Sequence, residues 1–237
     1  MRVLRRILVA LAAVALIGGG TPTAAAAAPS TAATHSAQDS ARVAETRPEP
    51  RQSAAIAGGT LVTVGTPGQS CRVSFTVTTG FVTAGGCGTP GATVRVGSVV
   101  VGSIAYTSLA YTLATTLPTV TLHGWVANPG GQNIPITGSN ETSVGGQVCR
   151  VGHTTGYRCG TIQAKNQSVS FPEGSIHGVT RTNVCAEPGD VGGLFLTGSQ
   201  AQGIAIGGSG NCSSGGTTFF LPVNPILSAH GLSLVTS

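Results

Sequence analysis

Charged residues are scarce in this 237-residue chain, where Asp, Glu, Lys and Arg together fill 8% of positions. From Ile56 onward six basic residues stand against four acidic ones: Arg72, Arg95, Arg150, Arg158, Lys165, Arg181, Glu141, Glu173, Glu187 and Asp190. The other six basic residues precede Ile56, so more than half of the formal net charge of +5 belongs to the N-terminal segment. Because a nucleic-acid-binding protein needs a clustered basic face, the sequence predicts no nucleic-acid partner.

Aromatic residues, repeats and helical periodicity are also sparse. Aromatics make up 4% of the chain and include one tryptophan, Trp125, which favours core or loop packing over a carbohydrate-binding strip. The sequence has no repeat of about 20–50 residues, which excludes a propeller or a solenoid. No long stretch carries the helical apolar period, so a predominantly helical fold is excluded as well.

The first 55 residues differ in composition from the rest. Three arginines precede an apolar run from Ile7 to Ile17, and small residues follow. This layout predicts a secretory signal peptide over residues 1–28. The apolar run is short for a membrane span, so no membrane insertion is expected after signal removal. Residues 29–55 are rich in Ala, Ser, Thr, Pro and charge and predict a disordered leader or short pro-segment. We therefore expect a secreted protein with one folded domain over residues 56–237.

Residues 56–237 predict an all-β domain. Stretches rich in Val, Thr, Ile and Phe recur between Gly, Pro, Asn and Ser. These stretches are RVSFTV, GFVTA, TVRVG, VVVGSIA, YTLATT, TVTLHGWV, QVCRVG, GTIQAK, QSVSF and GIAIGG. The pattern alone leaves a sandwich and a barrel open. One short helix is predicted from Val223 to about His230, with Gly231 ending it.

Cysteine occurs six times, always in the predicted domain: Cys71, Cys87, Cys149, Cys159, Cys185 and Cys212. An even count in an exported chain favours disulfides over metal ligands. No pair has the tight spacing of a zinc site, so no metal is predicted. Six cysteines allow fifteen pairings in principle, and the spacing alone does not choose among them.

Five motifs make the assignment more specific. IAGG begins at Ile56, FVTAGGCG at Phe81, VCRVGHTTGYRCGTIQAKN at Val148 and CAEPGDVGG at Cys185, and PILSAHGLSLV lies near the C-terminus. In this order they resemble the secreted bacterial branch of the chymotrypsin-like S1 serine proteases, which includes alpha-lytic protease and the streptogrisins. The resemblance implies two six-stranded antiparallel β-barrels with a cleft between them, and no cofactor. It also implies the disulfides Cys71–Cys87, Cys149–Cys159 and Cys185–Cys212.

The positions that would carry the chemistry depart from the family. Peptide hydrolysis by its members needs a serine nucleophile, a histidine base and an aspartate that orients the histidine. The resemblance puts Gly86 at the histidine position, Ser108 at the aspartate position and Val191 at the serine position. Ile206 stands where the family has a serine that bonds the aspartate. The sequence therefore predicts that the catalytic unit is lost.

Two further parts of the family's site rest on main-chain groups and are expected to persist. The N–H groups at the positions of Gly189 and Val191 form the oxyanion hole in the family, and a valine keeps its N–H. The strand that pairs with an extended peptide corresponds to Ile206, Gly207 and Gly208. The walls of the pocket below are expected to include Glu187, Pro188 and residues 204–210.

The remaining ionisable side chains predict structure rather than chemistry. In the family the aspartate at the position of Asp190 is buried against an arginine, which points to Arg150 and to a structural ion pair. Nothing in the sequence places a histidine beside Val191. A surface position or a structural hydrogen bond is therefore expected for all four histidines of the domain, which are His123, His153, His177 and His230.

An inactive, secreted and monomeric protease homologue is the function that the sequence favours. Its former cleft is expected to bind a peptide, a protein protease inhibitor or another protein. Two alternatives remain open. One is an active S1 endopeptidase with a nucleophile that the motifs do not reveal. The other is a structural or surface-display module whose cleft takes no ligand.

Overall fold

The computed structural model describes residues 53–237. The predicted signal peptide and residues 29–52 of the predicted leader lie outside this range. Ala55 already belongs to the first strand, and the carbonyl of Ala54 accepts a hydrogen bond of 2.9 Å from Thr121 N–H. The folded part therefore starts slightly before the expected boundary at Ile56.

The N-terminal barrel consists of β2 (Leu61–Val64), β3 (Gln69–Val77), β4 (Gly80–Ala84), β5 (Thr93–Val96), β6 (Val99–Thr107) and β7 (Tyr111–Thr116). Its strands close in the order β2-β3-β4-β7-β6-β5. Successive side chains of a strand point to opposite faces of the sheet. A bulge between Val73 and Phe75 shifts this alternation on β3. Val73 therefore packs into this barrel's core, whereas Phe75 packs into the cluster shared with the second barrel.

The C-terminal barrel consists of β10 (Gln147–Gly152), β11 (Gly156–Phe171), β12 (Gly174–Thr182), β13 (Leu194–Thr197), β14 (Gln200–Asn211) and β15 (Gly215–Pro222). It closes in the order β10-β11-β12-β15-β14-β13. Phe195 and Phe220 stack at its centre with ring centroids 4.6 Å apart. The pair of six-stranded antiparallel barrels confirms the expected fold.

A small sheet and one helix complete the described part of the chain. The sheet contains β1 (Ala55–Gly58), β8 (Thr121–Val126) and β9 (Ile134–Pro135), with β8 in the middle. The helix, α1 (Val223–His230), ends at Gly231, whose φ of 60° is left-handed, as predicted for a C-terminal glycine. Within residues 53–237 no helix has the length and apolarity needed to cross a membrane.

All three expected disulfides form, namely Cys71–Cys87, Cys149–Cys159 and Cys185–Cys212. Each joins segments that are near in sequence, with separations of 16, 10 and 27 residues. The last of them ties the loop that precedes β13 to the end of β14. This loop carries the CAEPGDVGG motif, so its position is fixed covalently at one end.

The predicted strands differ from the observed ones at β11. GTIQAK and QSVSF were expected as separate strands, but both lie in the 16-residue β11. The interruption is local: the register with β12 shifts between Ile162 and Ser168, and Asn166 adopts a φ of 56°. Six strands had no predicted counterpart, and these are β1, β2, β9, β12, β13 and β15.

Apolar residues of both barrels meet in one cluster, and the cleft lies along this contact. The cluster combines Phe75 and Val82 of the first barrel with Leu194 and Ile204 of the second. A buried hydrogen bond crosses the contact, because the Ser74 hydroxyl donates to the carbonyl of Gly192 over 2.7 Å. The CAEPGDVGG loop is thus bonded directly to β3.

Ser74→Ala should lower the free energy of unfolding by about 1–3 kcal/mol, because the buried carbonyl of Gly192 loses its donor. Urea unfolding followed by circular dichroism measures the change. Ser98→Ala, at an exposed position, is the control and should alter stability by less than about 0.5 kcal/mol. Equal effects of the two substitutions would show that the Ser74 bond contributes nothing to the contact between the barrels.

Candidate active site

Two of the three positions predicted for the triad are in direct contact, and the third lies on the loop that faces them. Gly86 N–H donates to the carbonyl of Ser108 over 3.1 Å, so the turn after β4 touches the turn before β7. From the second barrel, a Cβ on Gly192 would lie 3.2 Å from Cβ of Ala84. Val191 therefore faces that turn across a cleft of about 500 Å³, which Gly85 and Cys87 also line.

Gly86 and Ser108 carry no acid–base group into this cleft. Gly86 has a φ of 72°, in the left-handed region that favours glycine. The Ser108 hydroxyl donates to the carbonyl of Tyr111 over 3.0 Å. It also accepts hydrogen bonds from the N–H groups of Ala110 and Tyr111 over 3.3 and 3.2 Å. Ser108 thus closes its own turn.

Two of the positions have become apolar. Val191 exposes 52% of its surface and borders three separate cavities. Ile206 packs against the apolar cluster between the barrels together with Phe171. The nucleophile position and its neighbouring strand therefore offer methyl groups where the family has hydroxyls.

The main-chain donors at this site are retained. Across residues 53–237, neither Gly189 N–H nor Val191 N–H donates a hydrogen bond. Their neighbours do, since Asp190 N–H bonds the carbonyl of Glu187 and Gly192 N–H bonds that of Ala205. Both unpaired N–H groups belong to residues that line the cleft, so the donors are available to a ligand.

A buried ion pair holds the loop that presents these donors. Arg150 Nη2 and Asp190 Oδ2 lie 3.1 Å apart, and neither side chain is exposed. Glu187 N–H and the Thr155 hydroxyl donate to the same carboxylate over 2.9 and 2.8 Å, and Thr154 N–H donates over 2.9 Å. The sequence predicted a structural ion pair here, and the side chain of Asp190 contacts its own loop, the adjacent turn and Arg150 on β10.

The electrostatics of the pair follow from these contacts. Burial alone would raise the pKa of Asp190, but the hydrogen bonds from Glu187 and Thr155 and the charge of Arg150 outweigh burial. The pKa of Asp190 therefore lies below its ordinary value. Burial lowers the pKa of Arg150, which the charge of Asp190 counteracts. Both groups are charged at neutral pH.

A second cavity of about 380 Å³ adjoins Val191 on the side of β14. Its walls include the expected Glu187 and Pro188 and most of the predicted 204–210 segment, and also Phe171 and Thr218, which the sequence did not indicate. The Glu187 carboxylate accepts a hydrogen bond of 2.8 Å from Cys212 N–H. This carboxylate therefore supports the loop, and the remaining walls are largely apolar.

Comparison with known proteins identifies the family. A family profile described as Trypsin matches residues 120–229. Streptogrisin-C of Streptomyces griseus is 46% identical over 210 residues, which are 82% of this chain and 44% of that protein. Glutamyl endopeptidase 2 of the same organism is 32% identical over 70% of this chain and 94% of its own length. The crystal structure of Cellulomonas bogoriensis chymotrypsin is 48% identical, with a TM-score of 0.70 over 77% of this chain and all of that one.

The chain belongs to the chymotrypsin-like S1 serine protease family. It spans 44% of the length of streptogrisin-C and 66% of that of streptogrisin-A.

One histidine of this S1 domain shares cavities with Val191. His153 lines two of the cavities that Val191 borders, and it has the exposed, hydrogen-bonded position that was expected for it. Asp190 accepts hydrogen bonds from the N–H groups of Thr154 and Thr155, and these bonds hold the turn after β10 against the loop. The short spacing between Arg150 and His153 was the signal that could have revealed this.

His153 is nevertheless poorly suited to replace the missing base. Its Nε2 lies 3.1 Å from Nη2 of Arg72. A guanidinium has only N–H donors, so Nε2 accepts this hydrogen bond and the ring proton is on Nδ1. The lone pair of Nε2 is therefore already engaged by Arg72.

The other three histidines make contacts away from Val191. Nε2 of His230 lies 2.8 Å from the hydroxyl of Tyr111, and Nδ1 of His177 lies 2.8 Å from that of Ser168. His123 packs against Trp125, with ring centroids 5.7 Å apart. Across residues 53–237, no cluster of three or more His, Cys, Asp or Glu side chains could hold a metal ion.

Asp190→Asn should lower the free energy of unfolding at pH 7 by about 3–5 kcal/mol, because it leaves Arg150 charged and unpaired in the interior. Urea unfolding measures the loss. Glu173→Gln, which removes an exposed carboxylate, should change stability by less than about 0.5 kcal/mol. A loss below about 1 kcal/mol for Asp190→Asn would contradict a structural role for the pair.

The decrease in the free energy of unfolding at acid pH should also depend on Asp190. Its pKa is lower in the folded state than in the unfolded chain. Asp190 therefore contributes fully to the free energy of unfolding at pH values above the pKa of the unfolded state, about 3.9. That contribution is lost as the pH falls through the lower folded value. Unfolding free energies from pH 7 to pH 2 should therefore fall more steeply for the wild type than for Asp190→Asn. Parallel profiles would show that Asp190 binds its proton equally in both states.

Proposed function

We propose that this S1 family member is catalytically inactive and that its former active-site cleft binds an extended peptide segment. One observation supports the first part: Val191 lines the cleft without a hydroxyl, and the adjoining turns carry Gly86 and Ser108, of which Gly86 has no side chain and Ser108 has its hydroxyl bonded within its own turn. Loss of a complete triad reduces turnover by about 10⁶-fold in enzymes of this kind. The retained N–H donors do not replace that loss.

The binding part rests on an open strand edge beside a pocket. On one side, β14 pairs with β15 along Gly207 and Gly208. On its other side, the pairing with β13 ends at Ile204. The second edge of residues 206–208 therefore has no strand partner within residues 53–237, and an extended peptide can add there through main-chain hydrogen bonds. The 380 Å³ cavity next to it supplies space for a side chain.

Export is part of the proposal. The N-terminal pattern over residues 1–28 is that of a secretory signal, and three disulfides are typical of proteins in oxidising compartments. The ligand is then a peptide segment of an extracellular protein, and a protein protease inhibitor with an exposed loop is one candidate.

Hydrolysis of a panel of chromogenic peptides by the disulfide-intact full chain should remain at the background rate, and a fluorophosphonate probe should not label it. An active serine protease run in parallel validates both assays. Turnover that survives repurification and disappears as the label attaches would reveal a nucleophile elsewhere and would support an active endopeptidase instead.

Returning only the hydroxyl should not restore catalysis. Val191→Ser provides a serine without a base, so we expect turnover within about tenfold of the wild-type background and slow labelling at most. The measurement uses the same chromogenic and fluorophosphonate assays. Restoration of rapid turnover would show that another residue, with His153 the first candidate, acts as a base.

Peptide binding should depend on the cleft. Val191→Arg puts a long charged side chain at its centre and should abolish binding of peptides selected from a random library, measured by fluorescence anisotropy. Val144→Arg is the matched control, because Val144 is 56% exposed and Val191 is 52% exposed, and Val144 does not line the cleft. Equal loss in both variants, or no binding peptide at all, would favour a structural or surface-display module.

A further inference from the structure

On one side of Val191 the nearby charges are all positive. The two cavities that Val191 shares with His153 are also lined by Arg72, and no carboxylate lines either cavity. Asp190 is buried against Arg150, and Glu187 borders the other cavity, where Cys212 N–H bonds it. A ligand group that reaches the space between Arg72 and Val191 therefore meets a cation and no compensating anion.

Arg72 is held in place towards this space. Its Nη1 donates to the carbonyl of Gly59 over 3.1 Å, and its Nη2 contacts His153 over 3.1 Å. Neither partner is a carboxylate, so the guanidinium charge is not cancelled by an ion pair. A guanidinium fixed in this way loses little conformational freedom when it binds an anion.

Main-chain donors converge on the same region. Gly189 and Val191, whose N–H groups have no acceptor within residues 53–237, line the same two cavities as Arg72. Backbone N–H groups and a guanidinium are the donors that bind a carboxylate through short, charge-assisted hydrogen bonds. Such bonds are stronger than those made with a neutral amide carbonyl.

The opposite side of Val191 holds a cavity with largely apolar walls. The cavity there measures about 380 Å³ and is bordered by Phe171, Ala205 and Ile206. The cavity behind Val191, on the side of Arg72, Ala127 and Pro129, measures about 110 Å³. An apolar side chain therefore fits on one side of Val191, and a compact anionic group fits the donors on the other.

We propose that the cleft binds the C-terminus of a peptide chain, with an apolar last residue in the 380 Å³ cavity and its α-carboxylate at Gly189 N–H, Val191 N–H and Arg72. This inference rests on the proposed peptide binding and specifies its ligand. A free chain end is favoured over the middle of a chain because only the end places a full negative charge directly beside the last side chain.

The first test compares three forms of one peptide by fluorescence anisotropy with the full chain. The first form is acetyl-Ala-Ala-Ala-Leu with a free C-terminal carboxylate, and the second is the same peptide with a C-terminal amide. The third is acetyl-Ala-Ala-Ala-Leu-Asp with a C-terminal amide. The free acid should bind at least about tenfold more tightly than the amide. Added salt should weaken binding of the free acid more than binding of the amide. Arg72→Gln should remove the difference, whereas Arg95→Gln, at an exposed position on β5, should preserve it.

The second test locates the carboxylate without a substitution. In ¹H–¹⁵N spectra of the wild-type chain, the amide resonances of Gly189 and Val191 should shift further downfield with the free acid than with the amide. Equal affinity and equal shifts for acid and amide would overturn the chain-end proposal while leaving peptide binding in place. Tightest binding of the aspartate-extended amide would also overturn it, because the donors would then select an acidic side chain. Failure of all three peptides, with none found in the library, would overturn the proposed binding itself.

Discussion

The buried pair of Arg150 and Asp190 is the constraint on which the rest of the site depends. Two charges removed from water are tolerated only when each finds its counter-charge and hydrogen bonds, and Asp190 collects donors from Glu187, Thr154 and Thr155. This requirement fixes the shape of the loop between β12 and β13 without any help from a nucleophile. The cleft therefore keeps its donors although the serine position is a valine.

The residues that stabilise this fold are not the residues at the predicted triad positions. The disulfides, the apolar cluster between the barrels and the ion pair hold the backbone, and none of them contains a triad position. Val191 is half exposed, and a Cβ at Gly86 would meet no atom within 4 Å. Replacements at these two positions therefore disturb little packing.

Much of the fold follows from the sequence, and the exceptions have physical causes. Strands β4, β7 and β10 coincide with predicted stretches, because β-branched and aromatic residues fill them and turn residues bound them. The helix α1 was predictable from Gly231 at its end. In contrast, β11 could not be recognised as one strand, because its bulges and the left-handed Asn166 look like a turn in sequence. Strands such as β9, with two residues, are defined by their partners rather than by their own composition.

The candidate site, like the fold, was predicted from the sequence only in part. The motifs pointed to Gly86, Ser108 and Val191 as the triad positions, which stays a prediction; the structure places Gly86 beside Ser108 and Val191 at the cleft. The contact of His153 with Arg72 was not foreseeable, since it joins residues 81 positions apart in different barrels. The left-handed backbone of Gly86 restricts which residues can occupy this position without strain. An ordinary side chain at that φ is strained by about 1–3 kcal/mol, so a histidine that arose there by mutation would begin at a disadvantage and without a partner. An imidazole at this position would therefore need a change of the backbone as well as of the side chain.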